Sequence, residues 1–151
     1  MKTILRNLLA VVVGVVVGSF VNLALVNAGP HVIPLPEGAD VSTMEGLKEA
    51  MTRFSPANFL FPFLGHALGT LAGAFLAAKV AASHRMKFAL GIGVFFLLGG
   101  IMMVASCGGP IWFIAVDLLV AYVPMGYLGG ILARPRATAG GRVETPAGPG
   151  A

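Results

Sequence analysis

The stretch Val11-Val12-Val13-Gly14-Val15-Val16-Val17 decides how this chain folds. It carries no polar side chain and therefore no alternation of polar and apolar faces. A strand of a membrane barrel alternates with a period of two, so a barrel is disfavoured. The stretch lies inside a longer apolar segment, Ile4 to Val26, interrupted only by Arg6, Asn7, Ser19 and Asn22. Roughly 20 apolar residues in a helix cross about 30 Å of hydrocarbon. Backbone polar groups must be paired internally in lipid, which selects helix over extended chain. Ile4 to Val26 is thus expected to be a transmembrane helix.

Three further segments meet the same criterion. Ala57 to Ala82 contains His66 and, near its end, Lys79; Phe88 to Ala105 has no charged residue; Ile111 to Ala133 has only Asp117. The composition agrees. Of 151 residues, 57% are hydrophobic and 11% charged, with a mean hydropathy of +0.90, whereas a soluble domain carries about 25% charged residues. That excludes a water-soluble globule and, over most of the length, intrinsic disorder. A single cysteine excludes an intrachain disulfide framework and a cysteine-rich zinc site. Val26-Asn27-Ala28 resembles a signal-peptide cleavage site, but the apolar stretch before it exceeds a signal core and contains Asn22. The first span is expected to stay.

The connections at Ala82 to Lys87 and at Gly108-Gly109-Pro110 are short, which makes antiparallel neighbours. The expected fold is an all-α, up-down-up-down four-helix transmembrane bundle over residues 1–133. With both termini on one side, that side holds Lys2, Arg6, Lys79, Arg85, Lys87, Arg134, Arg136 and Arg142. The other holds Lys48 and Arg53 beside Glu37, Asp40, Glu45 and Glu49. The asymmetry predicts both termini in the cytoplasm. It also accounts for the basic charge without a nucleic-acid partner. Lys79, Arg85 and Lys87 stand where anionic lipid headgroups would meet them.

The outer loop, 27–56, opens with Gly29-Pro30 and Pro34-Leu35-Pro36, which favour an extended path. Ser42 and Glu45 fit a capping box. Met44, Leu47, Met51 and Phe54 then share one helical face, predicting a short amphipathic helix over about 43–54. It would lie on the membrane surface or over the bundle mouth, as a cover or as a lid or docking element. Ser55-Pro56 reads as the start of the second span. The segment 134–151, rich in Gly, Ala, Pro, Thr and Arg, is expected to be a disordered tail.

Small residues recur every four positions: Gly14 and Gly18; Gly65, Gly69 and Gly73; Gly126 and Gly130. In lipid such rows let helix backbones approach closely, within the bundle or against another subunit. Leu90-Gly91-Ile92-Gly93-Val94 is no nucleotide fingerprint, because a preceding strand and a third glycine are missing. Pro62 and Pro124 are expected to kink the second and fourth spans.

Intramembrane polar groups hold what functional information there is. Asn22, His66 and Asp117 lie on three helices, roughly 8, 13 and 10 Å from their outer ends at 1.5 Å per residue. His66 shares a helical side with Gly69, Thr70 and Gly73, so it should face the interior. An ionised Asp at mid-membrane costs about 2.5–3.5 kcal/mol, which demands a partner, water or protonation. We therefore expect an inward cluster of Asn22, His66 and Asp117, with Thr70, Ser19 or Tyr122 as additions. Two readings stay open. One is a polar clasp that fixes helix register. The other is an outward-opening pocket for a proton, ion or small solute. Cys107 alone cannot run an intrachain dithiol cycle. Met102-Met103 is expected to pack in the core rather than bind a soft metal. Trp112 stands where an outer interfacial aromatic belt would place it. No catalytic residue, cofactor or metal is expected.

Asn22, Pro34-Leu35-Pro36-Glu37-Gly38, His66 through Ala74, Gly99-Gly100, Pro110-Ile111-Trp112-Phe113 and Asp117 through Gly130 together resemble small bacterial four-span membrane proteins of uncharacterised function. The resemblance covers most of residues 4–133 and implies the same architecture, with no activity to carry over. Small multidrug exporters fit worse, because the first span lacks their embedded Glu; thiol oxidoreductases fit worse for want of paired cysteines. The expected role is a non-enzymatic accessory, scaffold or assembly subunit whose partners are the bilayer and other membrane subunits or a second copy. The alternative is a small oligomeric transporter or solute- or proton-binding protein using Asn22, His66 and Asp117.

Overall fold

The computed structural model describes residues 2–135. Among them the ordered elements are all helical: α1 (Lys2–Val32), α2 (Met44–Met51), a single-turn 3-10 helix (Pro56–Phe59), α3 (Leu60–Val80), α4 (Arg85–Cys107), α5 (Ile111–Val120) and α6 (Val123–Leu132). Four stretches are long and apolar enough to cross a membrane: Lys2–Val32, Pro56–Val80, Arg85–Cys107 and Ile111–Leu132. All four expected apolar segments are helical, and the described residues form an all-α bundle. Of the expected tail only Arg134 and Pro135 are described; 136–151 lie outside the described residues.

α3 is the central helix. It packs along α1 on one side and against α4 and α6 on the other, and α4 also packs on α6. Glycine makes these approaches possible. A Cβ on Gly14 would stand 2.9 Å from the Gly73 carbonyl oxygen, and one on Gly18 2.8 Å from that of Gly69. Gly65 faces Asn22 and Val26 one turn further along. The two rows therefore interlock in antiparallel order. Gly126 meets Gly93, Gly130 meets Met86 and Ala89, and Gly129 lies against the Leu71 carbonyl of α3. Gly129, which no four-residue row revealed, welds α6 to α3.

The interior is built from small side chains. Ala10, Ala74, Ala77, Ala78, Ala81, Ala89 and Ala121 are fully buried, and the largest fully buried side chains are Tyr122 and Thr70. Ile4, Phe20, Leu98, Met102, Ile111 and Leu119 point outward, Ile111 with 85% of its surface exposed. Proteins folded by water do the reverse with their large apolar residues. Contact between backbones with large residues turned out is the packing that lipid favours.

Several local expectations are corrected. α1 runs on through Gly29-Pro30 to Val32, where an extended path was expected. Gly29 sits against Phe61, and the Ile33 amide still reaches the Gly29 carbonyl at 2.8 Å, so tertiary packing holds the last turn together. The helix stops where Pro34 and Pro36 disfavour the α conformation before them. α2 starts one residue later than a Ser42 cap requires. Thr43 Oγ1 accepts the Gly46 amide at 3.0 Å, and no Glu45 capping box forms. Ser42 instead donates from its hydroxyl (2.6 Å) and its amide (2.8 Å) to Asp40, which holds that carboxyl below its ordinary range. α2 ends at Met51, short of the expected 54; Phe54 lies beyond it, its ring 5.6 Å from that of Phe59. Pro62 falls in the first turn of α3, where its missing N–H breaks no intrahelical bond, so it does not interrupt the span. Met102 and Met103 are exposed, 70% and 44%, rather than packed in the core.

Polar residues near the start of α1 tie its neighbours. Arg6 Nε donates to the Val80 carbonyl at 2.7 Å, satisfying the C-terminus of α3. Asn7 accepts the Ala82 amide at 2.9 Å and donates to Ser83 Oγ at 3.1 Å. These bonds hold the tight α3–α4 turn, in which His84 adopts a left-handed φ of 49°. At the opposite end Asn58 binds the Pro34 carbonyl and Arg53 the Glu37 carbonyl, and Phe59 packs on Trp112 and Phe113. The free end of α1, the end of α3, the start of α4 and the end of α6 therefore gather at one pole of the bundle.

Candidate functional site

The fourth span is two helices. α5 ends at Val120, α6 starts at Val123, and Tyr122 between them has φ −115° and ψ −80°. Pro124 causes the break. It has no N–H to give the Val120 carbonyl, and its ring crowds the turn before it. The kink expected at Pro124 is thus a full interruption two residues upstream.

The interruption assembles the polar cluster. Tyr122 follows Asp117 by five positions, and on an unbroken helix the two would point about 140° apart at roughly 100° per residue. Here the Tyr122 hydroxyl donates to Asp117 Oδ2 at 2.9 Å. From α3, His66 Nδ1 lies 2.8 Å from Asp117 Oδ1. With the carboxylate as acceptor, Nδ1 carries the proton. The imidazole stacks on the Tyr122 ring at 5.6 Å between centroids. Both carboxylate oxygens are therefore taken, each by a different element. Asp117 has 4% of its side chain exposed and His66 20%, so the carboxylate is sealed while one edge of the imidazole reaches the surface. Gly100 of α4 completes the wall, because a Cβ there would stand 2.5 Å from the Tyr122 hydroxyl.

The expected cluster is therefore partly assembled. His66, Asp117 and Tyr122 come together. Asn22 does not join them: its side chain lies on the α1–α3 seam against Gly65 and Gly69. Antiparallel glycine packing sets that position, and the phase that continues the Gly14–Gly18 row turns Asn22 into the seam. Ser19 is exposed on α1. Thr70 is 1% exposed, and its Oγ1 has no hydrogen-bond partner. An unpaired hydroxyl is a burden to the fold, so Thr70→Val, which keeps the shape, should be neutral or stabilising by up to about 1 kcal/mol. Thermal unfolding in detergent checks this, and a clear loss of stability would mean the hydroxyl is bonded.

Cys107 is buried at the end of α4, with Met44 Sδ at 3.0 Å and Met103 Sδ at 3.7 Å. Among the described residues, no three of His, Cys, Asp and Glu converge as metal ligands. Comparison with known proteins finds no matching family model, curated protein or solved structure.

Proposed function

We propose that this chain is a non-enzymatic, multi-pass membrane protein of the bacterial inner membrane, related to small four-span bacterial proteins, with both termini in the cytoplasm. Its role is that of an accessory, scaffold or assembly subunit. Small residues inside and large apolar residues outside support a lipid surround. The basic pole formed by Lys2, Arg6, Lys79, Arg85, Lys87 and Arg134 supports the orientation.

One observation carries the non-transport role: both oxygens of Asp117 are occupied by residues of the same chain. A carboxylate closed in this way fastens the broken span to α3, as a clasp does. The second reading, a proton- or solute-binding site, draws on the broken helix beside an ionisable pair, an arrangement that transporters use, and on the partly exposed His66.

Recovery of the intact chain from native membranes, together with flux across vesicles holding the purified chain, separates the two. A stoichiometric membrane partner with no proton or solute flux is the result expected. Flux by the purified chain alone, abolished by His66→Gln, would replace the accessory role with the transport one.

A further inference from the structure

We propose that the furrow between α1 and α4 binds one acyl chain of an anionic phospholipid, with the lipid phosphate held at Lys87. This rests on the membrane reading above. α1 and α4 both lean on α3 but touch each other little. Between them lies a cavity of about 630 Å³ walled by Val12, Val15 and Val16 on one side and Phe88 and Phe95 on the other. The buried Ile92 and the exposed Gly91 also line it, and a Cβ on Gly91 would meet no atom within 4 Å. From Lys87 to Phe95 α4 rises about 12 Å at 1.5 Å per residue, close to the ~15 Å that is half of a hydrocarbon core. The furrow covers most of the depth of one leaflet.

Its mouth is polar. At Lys87 and Phe88 the furrow opens into a second hollow of about 320 Å³ lined also by Asn7 and His84. This pole of the bundle carries Lys2, Arg6, Lys79, Arg85 and Lys87. The described acidic residues stand elsewhere: Glu37, Asp40, Glu45 and Glu49 in the loop at the other pole, and Asp117 inside. An apolar trough ending in positive charge matches an acyl chain ending in an anionic headgroup. A zwitterionic headgroup matches the charge less well, and free phosphate leaves the trough unused.

The test is native mass spectrometry of the full chain in detergent, titrated with phosphatidylglycerol and with phosphatidylethanolamine. The wild type should retain one phosphatidylglycerol per chain in preference to phosphatidylethanolamine. Lys87→Gln should lower that preference about fivefold, the effect of one basic residue at an anionic headgroup. Gly91→Phe fills the trough from a position with open space above it, and should abolish retention of both lipids while the bundle stays folded. Equal retention of the two lipids by the wild type, or undiminished phosphatidylglycerol binding by folded Gly91→Phe, would overturn the proposal. So would a wild-type dimer that retains no lipid and dissociates on Gly91→Phe, which would assign the furrow to a second copy. Should Gly91→Phe not fold, the wild-type and Lys87→Gln comparisons decide. A detergent-dependent chain without lipid selectivity overturns the furrow alone; a chain soluble without detergent overturns the membrane reading beneath it.

Discussion

Gly73→Leu should force α1 away from α3 and strongly destabilise the native bundle. At this position even a Cβ would stand 2.5 Å from the Gly14 carbonyl oxygen and 3.2 Å from the Gly18 Cα. Both obstacles are backbone, so no side chain can rotate away to make room. Inserting extra methylenes into a packed core typically costs about 1–3 kcal/mol, and occasionally more. Here two helices must move apart, so the loss should be about 3 kcal/mol or more. The separation would also open the facing contacts at Gly69 and Gly65. Gly99→Leu is the control, because Gly99 has no atom within 4 Å of its Cβ position and is exposed on α4. Replacing that helical Gly should leave stability unchanged or raise it by about 0.5–1 kcal/mol. Reversible unfolding in mixed detergent micelles measures both. Equal effects of the two variants would mean that the glycine rows do not form the helix seam.

The second large effect is expected at Asp117. Asp117→Leu removes the acceptor from both His66 and Tyr122 and leaves two buried polar groups unpaired. Each such group costs about 1–3 kcal/mol, so the variant should lose about 2–5 kcal/mol, somewhat eased by the exposed edge of His66. Asp117→Asn should lose less than half as much. Its amide oxygen can accept the Tyr122 hydroxyl while its NH2 donates to a His66 tautomer protonated on Nε2. In a double-mutant cycle, Tyr122→Phe should couple to Asp117→Leu, because each removes the same bond. Additive losses would show that the Tyr122–Asp117 bond contributes nothing to stability, and the clasp would then rest on His66 alone.

Apolar run length and glycine spacing carried much of the fold. The four long apolar helices were legible because each is a run of roughly 20 mostly apolar residues. The seam was legible because Gly14 and Gly18 repeat with the same spacing as Gly69 and Gly73. The partnership of His66 and Asp117 was legible in kind, since an ionisable pair at similar depth has few other places to go. Element ends were less so. Pro30 stands inside α1 because Gly29 packs on Phe61, a long-range contact with no local signature. The α2 cap shifted to Thr43 because Asp40 engages Ser42, and either hydroxyl suits a cap.

Two functional placements depended on tertiary geometry. Tyr122 reaches Asp117 only because the helix breaks upstream of Pro124; the proline was visible, but the extent of the break and the direction it turns Tyr122 were not. Asn22 shared the depth of the other polar residues but not their side of α3. Arg6 counted only toward the charge asymmetry and Asn7 only as an interruption of an apolar run, yet they satisfy the end of α3 and the turn after it.

The central claim is that this chain crosses a lipid bilayer four times with its beginning and end on the same face. Reporter fusions in intact cells, placed after Lys2, within residues 37–42, at Ser83, at Gly109 and after Pro135, test it most directly. The account predicts a cytoplasmic signal at Lys2, Ser83 and Pro135 and an external one at 37–42 and Gly109. A beginning and end reported on opposite faces would contradict it.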